Sequence, residues 1–419
     1  MPLKKILLSA YSCSPNAGSE PGIGWNWAQS IAASGHEVTV ITRAINRANI
    51  DNYSNGRFCN PKFVFHDLSP LAQQLYKLPL GNYAYYLLWQ YTAARRAREL
   101  HRIEKFDQVQ HVTWGSFRAA SFMGKLGIPF IFGPVGGGED TPNQLRAGLG
   151  WRGRLWDSFR RLSNSLLTVD PFMRSTYADA CEILTTTAET LGKIPAAYRQ
   201  KARVQPAAGV CLAKAPDRSP LNLPSLTQRR EAALEILYVG RLVPWKGLHL
   251  ALQAIASLGE KRSAVRLTVI GSGYDAPRLK RVANKLQLGN TVDWIPWMPR
   301  EDLLRAFPDF DLFLFPSLHD SGGMAVLEAI SFGLPVVCLD LGGPPEFVND
   351  ACGRVVSTDG ADESRVVEQI AAFLSELIED PSNLKRLSEA ARERASSFTW
   401  EAHVRNVYGA SLVLQAHGL

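Results

Sequence analysis

Short apolar runs alternate with amphipathic stretches along the whole chain of 419 residues. In the first half the runs are KKILLSA (Lys4–Ala10), HEVTVIT (His36–Thr42), KFVFHDL (Lys62–Leu68), FDQVQHV (Phe106–Val112) and PFIFGPV (Pro129–Val135). In the second half they are EILYVGR (Glu235–Arg241), RLTVIGS (Arg266–Ser272), NTVDWIP (Asn290–Pro296), DLFLFPS (Asp311–Ser317) and LPVVCLD (Leu334–Asp340). Such runs read as buried strands, and the amphipathic stretches between them as covering helices. Helices are predicted over Trp25–Ser34 and Met324–Ile330, among others. The alternation predicts an α/β chain with parallel, doubly wound sheets. It occurs twice in series, which predicts two Rossmann-like domains.

Boundaries follow from composition. The segment APDRSPLNLPSLTQRR, rich in Pro, Ser and charge, marks a linker over 206–234. The first domain then covers 1–205 and the second 235–395. From Pro381 onward the pattern is helical, ending in WEAHVRNVYGASLVL, so 396–419 is expected as a C-terminal helix. No internal repeat of fixed period is present.

Hydrophobic content of 46% is enough for two or three cores, and no long low-complexity tract points to disorder. The net charge of +7 is uneven: residues 1–205 hold 24 Lys+Arg against 14 Asp+Glu, and the remainder 22 against 25. The excess in the first half suits an anionic partner such as a lipid headgroup, a diphosphate or an acidic glycan. No helix-turn-helix, RNP or zinc pattern supports nucleic acid. The six cysteines (13, 59, 181, 211, 338 and 352) form no C-x-x-C pair, which fits a reducing cytosol and argues against a metal site. The apolar stretch Ile6–Ala10 is too short for a signal peptide, and no run is long enough to span a membrane.

The densest chemistry lies in PSLHDSGGMAVLEAISFGLPVV (Pro316–Val337). A strand leads into a glycine turn that opens a helix, so backbone N–H groups at the helix start can receive an anion. Gly322 and Gly323 supply the freedom for positive φ. Asp320 stands at the mouth of the turn, where a sugar can be met. Glu328, on the helix behind, can accept from two ribose hydroxyls. A second stretch, EILYVGRLVPWKGLHLALQAI (Glu235–Ile255), places Arg241 and Lys246 at a strand-to-helix turn, where two cations can neutralise a diphosphate. Taken alone, the first spacing is equally served by a helix with an acidic first turn.

Together these stretches resemble the E-x7-E and G-R-x-x-x-x-K-G motifs of retaining GT-B glycosyltransferases of family 4 (group 1). Asp320 stands where that family usually has Glu. The resemblance covers nearly the whole chain. It implies the GT-B fold, with two domains facing a cleft and a C-terminal helix crossing back to the N-terminal domain. It implies transfer of a sugar from a nucleotide diphosphate sugar to a hydroxyl of a glycan or polyprenyl-linked acceptor, with retention, in bacterial cell-surface polysaccharide synthesis. The catalytic set it implies is His111, Asp320, Arg241 and Lys246, with no metal and no cofactor. Donor contacts are expected from Gly22, Gly24, Gly271, Gly273, Trp297, Gly322, Gly323, Met324, Ala325 and Glu328. Acceptor-side contacts are expected from Glu20, Gly137 and Glu139. Pro296 occupies a place where the family often has Gly, and removes an N–H donor beside the base. The alternatives are a GT-B phosphorylase or epimerase, or a non-catalytic nucleotide-sugar-binding protein.

Two aromatic-basic stretches, Tyr76–Arg98 and Gly150–Leu167, suit a membrane interface as well as they suit a core with a basic edge. A cytoplasmic enzyme held at the inner face of the plasma membrane is expected from them. Trp151, Trp156, Arg160 and Arg161 are the expected contacts, with electrostatics dominating.

Overall fold

The computed structural model describes residues 3–53, 61–78, 81–165, 170–211 and 233–409, Ser165 by its backbone alone. Most of the expected linker, the last residues of the expected C-terminal helix, and Cys59 lie outside the described residues. Among the described residues the strands form two wholly parallel sheets.

The first sheet has the order β3-β2-β1-β4-β5-β6-β7. Its strands are β1 (Lys5–Ala10), β2 (Glu37–Thr42), β3 (Lys62–Phe65), β4 (Gln108–Thr113), β5 (Phe130–Val135), β6 (Glu182–Thr185) and β7 (Ala202–Val204). The second sheet has the order β10-β9-β8-β11-β12-β13. It is built from β8 (Leu234–Val239), β9 (Val265–Ile270), β10 (Val292–Ile295), β11 (Leu312–Phe315), β12 (Val336–Leu339) and β13 (Gly353–Val356). The ten strands expected from apolar runs are all present; the short β6, β7 and β13 carry too few apolar residues to announce themselves.

Both sheets are buried on two faces, as continuous apolar strands require. On the first, Leu7, Val109 and Phe132 pack with Trp89 on one side, and Ile6, Leu8 and Ile131 with Trp27 on the other. On the second, Ile236, Leu267 and Leu314 pack with Leu250 and Phe373. Each strand order reverses once, between β1 and β4 and between β8 and β11. At such a switch point the neighbouring helices diverge to opposite faces and leave room for a ligand beyond the carboxyl ends of the strands.

The chain forms two compact units, one of Met1–Gly138, Leu162–Gly209 and Trp400–Leu419, the other of Glu139–Arg161 and Val210–Thr399. This differs from a first domain running unbroken through 1–205. Glu139–Arg161 joins the second unit because Leu145 and Leu149 are buried in one core with Leu242 and Leu248. At the other end Trp400, Val404 and Tyr408 pack into the first unit. His403 Nε2 lies 2.8 Å from the Ala208 carbonyl, and the Arg203 guanidinium donates to the Asn406 carbonyl.

The first helix begins before Trp25, spanning Ser19–Ala33. Gly22 and Gly24 therefore lie inside it and not in a loop. They are glycines because a Cβ at Gly22 would stand 2.1 Å from the Ala17 carbonyl oxygen, and one at Gly24 would stand 2.2 Å from that of Ser12. Their role is to seat the helix against the chain leaving β1.

Candidate active site

At the second switch point the loop after β8 and the loop after β11 lie against each other. Gly247 makes this approach: its φ is +70° and a Cβ there would stand 1.7 Å from the Pro316 carbonyl oxygen. Only glycine fits. The Leu318 N–H then donates to the Trp245 carbonyl at 2.8 Å. The Trp245 and His319 rings stack with centroids 5.5 Å apart. Lys246 is thereby brought to Asp320, and its ammonium donates to Asp320 Oδ2.

The other oxygen of Asp320 turns inward. Oδ1 accepts from the N–H groups of Gly322 and Gly323 at 3.0 and 3.1 Å. The expected anion cradle thus holds a carboxylate of its own chain, and Asp320 closes the turn that precedes the helix Met324–Ser331 instead of standing open at its mouth. Burial pushes the Asp320 carboxyl up. Lys246 and the two glycine N–H groups outweigh burial and hold it below the usual carboxylate range. Only Gly323 takes a positive φ, +53°.

Two residues absent from the sequence expectation fix this turn from behind. The Gly343 N–H donates to the Asp320 carbonyl at 2.6 Å, and a Cβ on Gly342 would stand 2.5 Å from the same oxygen. Gly-Gly-Pro directly after the strand run LPVVCLD was the available signal.

Glu328 is buried on the helix behind the turn and its Oε1 accepts from Arg300 Nη2. Burial raises its carboxyl above the usual range, with Arg300 opposing. Arg300 was missed because it lies on another element, the helix Arg300–Ala306. Glu328 Oε2 has no hydrogen bond among the described residues. Met324 and Ala325 form the first turn of the helix, as expected.

Arg241, directly after Gly240 at the end of β8, is exposed and makes no ion pair among the described residues. Trp297, in the loop after β10, is 73% exposed. Gly271 and Gly273 do not face open space. A Cβ on either would stand 1.9 Å from the Gly240 carbonyl oxygen or 2.1 Å from that of Leu242. They hold the loop after β9 against the Arg241 loop, so their place in the site is as spacers. Glu139 also reaches this turn: its Oε2 accepts from the Ser321 hydroxyl at 2.6 Å. Burial, with Arg160 and Lys246 nearby, holds the His319 imidazole neutral by lowering it to about 3, against the pull of Asp320.

The first switch point is built otherwise. His111, inside β4, is wholly buried, with Nε2 3.1 Å from the Trp114 carbonyl and Nδ1 3.4 Å from the Gln90 amide. Burial lowers it to about 4, so it is neutral at pH 7. The resemblance implies a catalytic role for His111; in the structure both its nitrogens lie against groups of its own unit. Glu20 Oε1 accepts from the Gly115 N–H at 2.5 Å, and burial raises its carboxyl. Gly137 takes a φ of +99° in the loop after β5, with the Phe117 ring 3.8 Å from where a Cβ would be.

Two parallel sheets, each with a glycine turn at its switch point, place the chain in the two-domain, doubly wound α/β class. Family models match both halves: "Glycosyl transferase 4-like domain" over residues 24–208 and "Glycosyl transferases group 1" over 226–394. The chain belongs to the group 1 glycosyltransferases of the GT-B fold. Among curated relatives, a D-inositol 3-phosphate glycosyltransferase of Mycobacterium marinum is 35% identical over 40% of this chain and 35% of its own length. A putative colanic acid biosynthesis glycosyltransferase, WcaL, of Escherichia coli is 33% identical over 38% of this chain and 40% of its own length. The matched stretch thus spans well under half of each. Among solved structures, WaaG, a glycosyltransferase involved in lipopolysaccharide biosynthesis, superposes with a TM-score of 0.58 at 19% identity, covering 96% of this chain and 98% of that one. Anabaena HepE in complex with UDP superposes with a TM-score of 0.64 at 14% identity, covering 99% and 100%.

Proposed function

We propose that the protein transfers a sugar from a nucleotide diphosphate sugar to a hydroxyl of a glycan or lipid-linked acceptor, with retention, in synthesis of a bacterial cell-surface polysaccharide. The observation that carries this is the pair of cations, Arg241 and Lys246, beside a glycine turn at the switch point of the second sheet. A diphosphate placed there would meet Arg241, Lys246 and the N–H groups of Gly322 and Gly323, the latter once Asp320 yields them. In the reaction the bond from the anomeric carbon to the diphosphate oxygen breaks and a bond to the acceptor oxygen forms. The acceptor proton leaves to the diphosphate or to solvent. Negative charge grows on the leaving diphosphate, so these cations stabilise the transition state more than the ground state. The charge is supplied by side chains, and the reading includes no metal or cofactor.

Glu328 is the ribose contact in this reading, with Arg300 orienting its carboxylate and Oε2 facing the hydroxyls. Trp297 offers an open aromatic face for the base, and His111 is a positioning residue that holds the Trp114 backbone. HepE is described as binding UDP and UDP-glucose, which supports a donor of that kind. WaaG and WcaL, named for lipopolysaccharide and colanic acid biosynthesis, support the cell-surface role.

The test is thermal melting with UDP, GDP and ADP, then with their sugars. One nucleotide should raise Tm, and Glu328→Gln should abolish that rise while leaving the unliganded Tm near wild type. Release of the nucleotide in the presence of acceptor-bearing membrane extract separates an enzyme from a non-catalytic binder. Equal indifference to all three nucleotides would overturn the reading.

A further inference from the structure

The helix Gly150–Ser165 is amphipathic with its apolar side outward. Trp151, Leu155, Trp156 and Phe159 are 67, 66, 51 and 50% exposed. At about 100° per residue, Trp151, Leu155 and Phe159 succeed one another on one face and Trp156 extends it. Leu155 and Phe159 thus close the gap between Trp151 and Trp156, and the aromatic contribution is not scattered as the two tryptophans alone suggest.

Three charged side chains, Asp157, Arg160 and Arg161, point the other way. Asp157 is buried, with Arg146, Arg160 and Arg161 at 3.1, 3.5 and 3.1 Å. Arg160 reaches Asp140 as well. Arg160 and Arg161, the expected lipid contacts, are therefore committed inward. Arg152, whose guanidinium lies 5.1 Å over the Trp151 ring, stands within the apolar face between Phe159 and Trp156, and Arg154 borders it. Neither has a carboxylate partner among the described residues.

A contiguous apolar surface of this kind is not left to water without cause. Indoles on an apolar row, with arginines that have no carboxylate partner among the described residues set within it and at its edge, are the composition of a helix that lies in an anionic bilayer interface. The same segment also grips the loops of the second switch point. Glu139 holds Ser321, and Gly153 faces Pro244, where a Cβ would stand 3.1 Å from the proline Cβ. The Gly148 N–H donates to Glu363, and Leu149 shares a core with Leu242 and Leu248. We propose that the outer face of the Gly150–Ser165 helix docks on an anionic lipid surface, and that segment 139–161 couples this docking to the donor loops, so that nucleotide binds more tightly on the membrane. The coupling rests on the reading of those loops as the donor site; the docking does not. Linkage makes the effect reciprocal: nucleotide strengthens lipid binding by the same factor.

The experiment has two arms, on the full chain. Co-sedimentation uses vesicles of phosphatidylcholine alone and of phosphatidylcholine mixed with phosphatidylglycerol. Wild type should pellet with the mixed vesicles only. The Leu155→Ser, Phe159→Ser double variant, whose changes are on exposed side chains and whose Tm should be unaltered, should stay in the supernatant. Arg152→Glu with Arg154→Glu should lose binding and its salt sensitivity together. Pelleting of the serine variant like wild type, or of wild type with neither vesicle, overturns the docking. So does self-association of wild type that the serine changes abolish, since a second copy would then cover the face. In the other arm, UDP binding is measured by equilibrium dialysis. Anionic vesicles should lower its Kd about fivefold or more, the lower end of ordinary coupling between sites. An unchanged Kd with vesicles bound overturns the coupling. Absence of nucleotide binding in both conditions overturns the donor-site reading and the coupling with it, while the docking is still decided by sedimentation.

Discussion

The two switch points share one local recipe, a strand running through a glycine turn into a helix, yet they spend their polar groups differently. At the first, Glu20 is taken by the Gly115 N–H and His111 by Trp114 and Gln90, all within the same unit. At the second, Arg241 has no carboxylate partner among the described residues, and Lys246 holds a carboxylate that a diphosphate can replace. Glycine geometry therefore makes the shelf in both sheets. Among the described residues the second adds Arg241 and Lys246, two cations in place for a charged ligand.

The largest effect expected from this contrast belongs to Lys246. Lys246→Ala leaves Asp320 as a mostly buried carboxylate without its cation, which should cost about 3 kcal/mol of stability as well as lowering turnover by about two orders of magnitude. Arg241→Ala should lower turnover by a similar factor with Tm unchanged, because Arg241 is exposed and makes no ion pair among the described residues. Calorimetry beside a transfer assay reads both, and equal loss of Tm in the two variants would break the comparison.

His111→Asn sharpens it from the other side. Its imidazole is structural, so Tm should fall by an amount corresponding to about 1–2 kcal/mol, while the Kd for nucleotide stays the same. A normal Tm with lost turnover would return His111 to the catalytic set.

The smallest effect is on pH. His111 and His319 are held near 4 and 3 by burial, against 6.5 in the unfolded chain. The unfolded state binds more protons below about pH 6.5, so stability is lost as pH falls from there toward 4. Tm should decline gently between pH 7 and 6 and more steeply below. A Tm that rises on acidification would contradict the buried neutral state of these rings.

Much of this was legible because it is local. Strands such as DLFLFP, the G-R-x-x-x-x-K-G loop and the glycine turn before Met324 are set by neighbours in sequence. Other features depend on partners far along the chain. Nothing near Glu328 announces Arg300, and nothing near Ser321 announces Glu139. The inward Asp157 network was hidden for the same reason: Arg160 and Arg161 look solvated until Asp140 and Asn143 are brought to them. Gly22, Gly24, Gly271 and Gly273 were recognised as special positions, but composition does not tell a glycine that admits a ligand from one that admits a neighbouring backbone.

The carboxylate seated on the N–H groups of Gly322 and Gly323 has a consequence for selectivity among the small anions of a cell. Chloride or inorganic phosphate entering the turn must evict Asp320, and so exchanges one set of hydrogen bonds for another with little net gain. In the proposed reading, a nucleoside diphosphate would evict the same carboxylate but add contacts to Arg241, Glu328 and an aromatic surface. In that reading abundant simple anions would be kept from occupying the turn by a resident competitor, and a ligand large enough to reach beyond the turn would displace it.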